Sequence, residues 1–90
     1  MHGCETPFVS VVIPVFNDAE RLRLCLSALA QQTYARSRFE IIVIDNGSDD
    51  LVPVKDLVAV YDNATLAVES LPGSYAARNR GLELAKGEAI

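Results

Sequence analysis

Three polar clusters hold the residues whose types could do chemistry: Pro14, Val15, Phe16, Asn17 and Asp18; the run Asp45-Asn-Gly-Ser-Asp-Asp50; and residues 70–74 with the arginine that follows, Arg78. Val15 and Phe16 offer apolar contact for a nucleotide base, and Asp45 and Asn46 offer groups for its polar edge. Arg78 falls in the first turn or two of a helix, beside N–H groups and a positive dipole end that favour phosphate. Arg80 lies about 200° further round the same helix and is expected to be solvated. The Asp/Asn/Gly/Ser run also has a plain reading as a turn, because such side chains bond their own backbone and tolerate left-handed geometry. Residue chemistry alone leaves nucleotide or phosphate binding level with a fold whose loops are merely polar.

The clusters are set by the elements before and after them. Residues 8–13, nearly unbroken and rich in β-branched Val, read as a strand buried on both faces of a parallel sheet. Pro14 lacks an N–H and is expected to end the pairing, with Asn17 and Asp18 as helix N-caps. Leu22, Cys25, Leu26, Leu29 and Ala30 then mark one face of a helix over 19–32, with Arg21 and Arg23 on its solvated faces. Residues 33–38 form a polar link, and 39–44 repeat the buried-strand pattern. Val54, Leu57, Val58 and Tyr61 mark a short second helix with Pro53 in its first turn, closed by Asp62 and Asn63. Residues 65–69 are the weakest strand and the expected sheet edge.

A third helix follows, with Ser74 as its expected N-cap, an inner stripe of Ala77, Gly81, Leu84 and Ala85, and Lys86 and Gly87 at its end. Gly81 costs about 1 kcal/mol of helix propensity unless a neighbour packs closely there. Residues 88–90 begin a fourth strand. The expectation is a three-layer α/β/α, Rossmann-like fold on an open parallel sheet of order 3-2-1, with the truncated fourth strand beside the first. Right-handed crossovers put the first two helices on one face and all three loops at the carboxyl end of the sheet, where ligands bind.

Ninety residues make one small domain, 8–90, behind a tail expected to be flexible, 1–7. A net charge of −4 argues against nucleic acid and anionic membrane surfaces as partners. No apolar run approaches the roughly 18 residues that span a bilayer, and the N-terminus lacks the pattern of a secretory signal. The expected location is cytoplasmic, with the inner face of the membrane as a working place. Cys4 and Cys25 lack metal-ligand spacing, Cys25 reads as a buried apolar thiol, and His2 as an inert tail residue.

Ser10-Val-Val-Ile-Pro-Val-Phe-Asn-Asp18, Ile44-Asp-Asn-Gly-Ser-Asp-Asp50 and Gly73-Ser-Tyr-Ala-Ala-Arg-Asn-Arg-Gly-Leu-Glu-Leu-Ala-Lys-Gly-Glu88 together resemble the first landmarks of family 2 glycosyltransferases, which are of the GT-A type. The resemblance covers 8–90. It implies an inverting, metal-dependent enzyme that moves a sugar from a nucleotide-diphosphate sugar, of UDP or dTDP type, to an acceptor hydroxyl on a saccharide or lipid-linked glycan, in cell wall or polysaccharide biosynthesis. It implies that Pro14, Val15, Phe16 and Asn17 hold base and ribose, that Asp45 and Asn46 meet the base, and that Arg78 approaches the diphosphate.

Asn46 stands where family members usually carry a second Asp, though an amide can still accept from an imide N–H. By the same resemblance the Asp-x-Asp that binds a divalent metal, Mg or Mn, lies a few residues past the fourth strand and the catalytic base farther on, both beyond Ile90. Residues 1–90 are therefore expected to hold no catalytic or metal-binding residue, to be inactive alone, and to self-associate through an incompletely paired strand. The alternative is a free-standing nucleotide- or phosphate-binding α/β module without catalysis. A flavodoxin-like signalling domain would need a complete five-stranded sheet with a receiver-type Asp and Lys.

Overall fold

A computed structural model of the protein describes residues 8–32, 38–71 and 73–89. The tail with His2 and Cys4, most of the polar link at 33–38, and Ile90 lie outside the described residues. The elements run β1 (Val9–Val15), α1 (Ala19–Ala30), β2 (Phe39–Asp45), α2 (Val52–Ala59), β3 (Ala64–Val68), α3 (Ser74–Leu84) and β4 (Glu88–Ala89). One parallel sheet has the order β3-β2-β1-β4, as the sequence predicts. The central strand β2 pairs with β1 from Val9↔Phe39 to Val15↔Asp45 and with β3 from Ile41↔Ala64 to Asp45↔Val68.

Side chains alternate across β2, and the alternation builds two cores. Phe39, Ile41 and Val43 join Leu22 and Leu26 of α1 and Val54 and Val58 of α2 on one face. Ile42 and Ile44 meet Ala77 of α3 on the other, with Val12 and Ala67 packed alongside. Gly81 is where α3 sits down on the sheet: a Cβ there would lie 2.2 Å from Val12 Cγ1, so the helix crosses β1 at a distance only glycine permits. Cys25 is free and half-buried, less enclosed than its place in the apolar stripe suggests. Arg21 and Arg23 pair with Asp18 and Glu20 on the solvated side of α1. The hydrogen bond from Arg23 holds the Glu20 carboxyl below its usual range.

Four local expectations are corrected. Pro14 does not end β1, which runs one residue further and keeps register with Ile44. The Val15 carbonyl accepts from Asn46 N–H at 2.8 Å on the β2 side. Backbone groups alternate sides along a strand, so the donor that Pro14 lacks would face β4, which pairs only with Val9 and Ser10. Of the two expected caps on α1, Asp18 alone serves, its carboxylate accepting from Arg21 N–H at 3.1 Å, while Asn17 turns the chain at φ 51°. The N-cap of α3 is Gly73 rather than Ser74, because the entry requires φ 104°. Gly87 is no left-handed cap: α3 ends in extended Ala85, and Gly87 is required because a Cβ would come 2.3 Å from the Phe8 carbonyl oxygen. That contact is held by the buried Ser10, whose Oγ accepts from Gly87 N–H and donates to Glu40.

Candidate functional site

The carboxyl ends of β1, β2 and β3 release three loops, and short polar bonds fasten them to one another. The turn after β2 is built on Asp45, which is 2% exposed. Its Oδ2 accepts from the N–H groups of Gly47 and Ser48 at 3.1 and 2.8 Å, and its Oδ1 accepts from Ser48 Oγ at 2.5 Å. Both carboxylate oxygens are thereby committed within the turn, a side chain closing its own loop. Asp50 Oδ1 accepts from Val52 N–H at 3.0 Å and leads the chain into α2.

Two asparagines bridge between loops. Asn17 donates its N–H to Ser48 Oγ at 2.9 Å, and its Oδ1 accepts from Asp49 N–H at 2.8 Å, which fixes the first loop to the second. Asn46 reaches the third loop: its Nδ2 donates to the carbonyl oxygens of Glu69 and Leu71 at 3.0 and 2.6 Å, and its Oδ1 accepts from Gly73 N–H at 2.9 Å. Gly73 in turn accepts from Ala77 N–H, the opening bond of α3.

Against this frame stand the groups left open. Phe16 is 61% exposed, and a Cβ on Gly47 would lie 3.9 Å from its Cε1, so the ring rests beside the acidic turn and offers an aromatic face. Arg78 is exposed one turn into α3 and makes no hydrogen bond or ion pair with another described residue, whereas Arg80 pairs with Glu83 at 3.4 Å. The start of α3 has no side-chain cap, so its first N–H groups stay available to an anion. A shallow cavity of about 230 Å³ is lined by Pro14, Val15 and Phe16 together with Asp18, Arg21, Leu22 and Cys25.

The structure thus brings the sequence-predicted residues to one end of the sheet in three sets. Pro14, Val15 and Phe16 form a wall against α1; Asn17, Asp45 and Asn46 build the loop frame; Arg78 stands on α3. Ser48, Asp49 and Gly73 belong to the frame as well; in the sequence they lie within the polar clusters, with no role marked for any of them. The available signals were the Asp/Asn/Gly/Ser run for Ser48 and Asp49, and for Gly73 a glycine after a proline in a short loop. Among the described residues no group of three or more His, Cys, Asp or Glu could hold a metal ion, and the best-placed carboxylate, Asp45, is fully engaged. The described residues do not fit a divalent cation. Among them no helix is long and apolar enough to cross a membrane.

Comparison with known proteins agrees with this fold. The chain is 46% identical over 87 residues to glycosyltransferase AglE of Haloferax volcanii, covering 93% of this chain and 29% of that protein. The fold is similar to the mannosyltransferase PcManGT from Pyrobaculum calidifontis, solved in complex with GDP-Man and Mn2+, with a TM-score of 0.83, 28% identity, and coverage of 93% of this chain and 26% of that one. It is also similar to S. aureus TarS 1-349 in complex with UDP-GlcNAc, with a TM-score of 0.72, 27% identity, and coverage of 91% and 25%. The chain therefore spans between a quarter and a third of the length of these relatives. Its parallel α/β sheet is that of the GT-A glycosyltransferases. The model of the glycosyl transferase family 2 matches residues 10–90, nearly the whole chain, and the chain belongs to that family.

Proposed function

We propose that residues 8–90 form the nucleotide-binding N-terminal part of an inverting, metal-dependent glycosyltransferase that takes a nucleotide-diphosphate sugar and glycosylates an acceptor hydroxyl. The observation that carries the reading is that the loops at the carboxyl end of the sheet are tied together, while Arg78, on the helix that the third loop opens, lacks a partner among the described residues. Pro14, Val15, Phe16 and Asn17 frame base and ribose. Asp45 borders the base through the turn its side chain builds, and Asn46 lies in that turn with its own side chain engaged by the third loop. Arg78 meets the diphosphate by charge-assisted hydrogen bonds.

The donor is of UDP or dTDP type, and the acceptor is a saccharide or lipid-linked glycan of cell wall or polysaccharide synthesis. Support for a nucleotide sugar comes from the two structural relatives, which were solved in complex with GDP-Man and UDP-GlcNAc. A divalent metal, Mg or Mn, when bound, would offset charge on the departing diphosphate. Its ligands and the general base are proposed to come from parts of the polypeptide other than residues 1–90. The place of work is the cytoplasm or the inner face of its membrane.

Calorimetric titration with UDP, dTDP and GDP, each beside its nucleoside, tests the reading. Tighter binding of a diphosphate than of its nucleoside is expected. Failure of every nucleotide to bind, with the fold intact by circular dichroism, would overturn it.

A further inference from the structure

We infer that Asn46 is a positioning residue: its amide does not read the nucleotide but locks the 69–73 loop, and through it the start of the helix that carries Arg78. The inference rests on the nucleotide-diphosphate reading above and assigns a division of labour within that site. Both protons of the amide are spent, on the carbonyl oxygens of Glu69 and Leu71 at 3.0 and 2.6 Å, and its oxygen receives Gly73 N–H at 2.9 Å. The orientation is determined by these partners, because exchanging oxygen and nitrogen would face an acceptor toward two carbonyls and a donor toward an N–H.

Asn46 is itself anchored, its own N–H donating to the Val15 carbonyl at 2.8 Å, so one residue ties the end of β1 to the loop after β3. Without it the described residues of that loop keep Glu69 N–H on the Asp45 carbonyl, at 2.9 Å, and the local bond of Leu71 N–H to Glu69 Oε2, at 3.0 Å. Gly73 is the N-cap of α3 with no side-chain cap of its own, and its carbonyl receives Ala77 N–H at 3.3 Å. The bridge therefore passes from Asn46 to Gly73 to the first turn of α3, and Arg78 follows Ala77 directly. A carboxylate at position 46 could take Gly73 N–H but would oppose two carbonyl oxygens, having no proton to give them.

The test is a double-mutant cycle read on two ligands, UDP and uridine, by calorimetry. Asn46→Ala should leave uridine affinity within about twofold and lower UDP affinity about tenfold, the scale of a lost hydrogen-bonded support. The loss should not add to that of Arg78→Ala, because both remove the same contact with diphosphate. Asn46→Asp should be at least as damaging as Asn46→Ala, and amide exchange at Gly73 should speed up in Asn46→Ala, which removes its acceptor. Equal losses for uridine and UDP would show that Asn46 touches the base, and additive losses in the cycle would separate it from Arg78; either overturns the inference. If the unaltered protein does not prefer UDP to uridine, the diphosphate reading itself fails. Gly73 exchange in Asn46→Ala then decides the bridge alone, and unchanged exchange refutes it.

Discussion

Arg78→Ala removes an exposed cation of α3 that makes no hydrogen bond or ion pair with another described residue. A hydrogen bond to a charged group contributes about 1.5–3 kcal/mol when well placed. Arg78 is exposed, so part of that is lost to solvent and to ordering a long side chain, and about 1–2 kcal/mol is a fair expectation. At 1.4 kcal/mol per decade this is about a 5- to 30-fold weaker affinity for UDP. Uridine, which has no phosphate, should bind as before. Arg80→Ala is the internal control: it removes a similar charge from the same helix, but one already paired with Glu83 on the solvated side, and should change UDP binding by less than about twofold. Raising the ionic strength should narrow the gap between the unaltered protein and Arg78→Ala, since an exposed charge pair is screened. Calorimetry with UDP and uridine on the three proteins reads all of this. Equal losses for both ligands in Arg78→Ala, or equal effects of the two arginines, would refute the assignment.

Gly81→Ala gains about 1 kcal/mol of helix propensity but forces a methyl into Val12, an overpacking that costs about 1–3 kcal/mol, so a net loss of roughly 1 kcal/mol is expected from urea unfolding. Combined with Val12→Ala it should destabilise less than the two changes summed, and strict additivity would mean that α3 does not rest on Val12. The ninety-residue chain should hydrolyse and transfer no donor sugar with or without Mg or Mn; metal-stimulated turnover would place the active centre within it. The β4 side of β1 beyond Ser10 pairs with no described strand, so the isolated chain should form dimers or larger species, and a stable monomer by light scattering at high concentration would contradict this.

Much of the fold was legible because its signals are local. The apolar runs at 8–13 and 39–44 admit hardly any reading but buried parallel strands, and the loop ends follow from them. Even the cost of Gly81 in a helix pointed to close packing, which Val12 supplies. The site was legible in position and less so in role. Asn17, Asp45 and Asn46 were marked by residue type, but a side chain's partner is set by tertiary approach: Asn17 meets Asp49, 32 positions away, and Asn46 meets Gly73, 27 positions away. Pattern cannot tell an asparagine aimed at a ligand from one aimed at a backbone. Gly73 and Gly87 illustrate the same gap. One serves a positive φ and the other a backbone approach, and composition gives no means of separating them.

The acidic character of the chain makes sense once the carboxylates are followed to their partners. A net charge of −4 should oppose a nucleotide diphosphate at long range, and the crevice lies beside a turn containing Asp45, Asp49 and Asp50. Asp45 and Asp50 face backbone N–H groups, and Asp18 is divided between the N–H of Arg21 and its guanidinium. Backbone N–H groups and Arg21 thus offset part of these charges near their source. Arg78 and the uncapped helix end can then act as a local cationic centre on an anionic protein. An affinity for phosphate built this way depends on geometry more than on overall charge. That is why the bonds bracing the loops, and not the count of charges, are expected to control it.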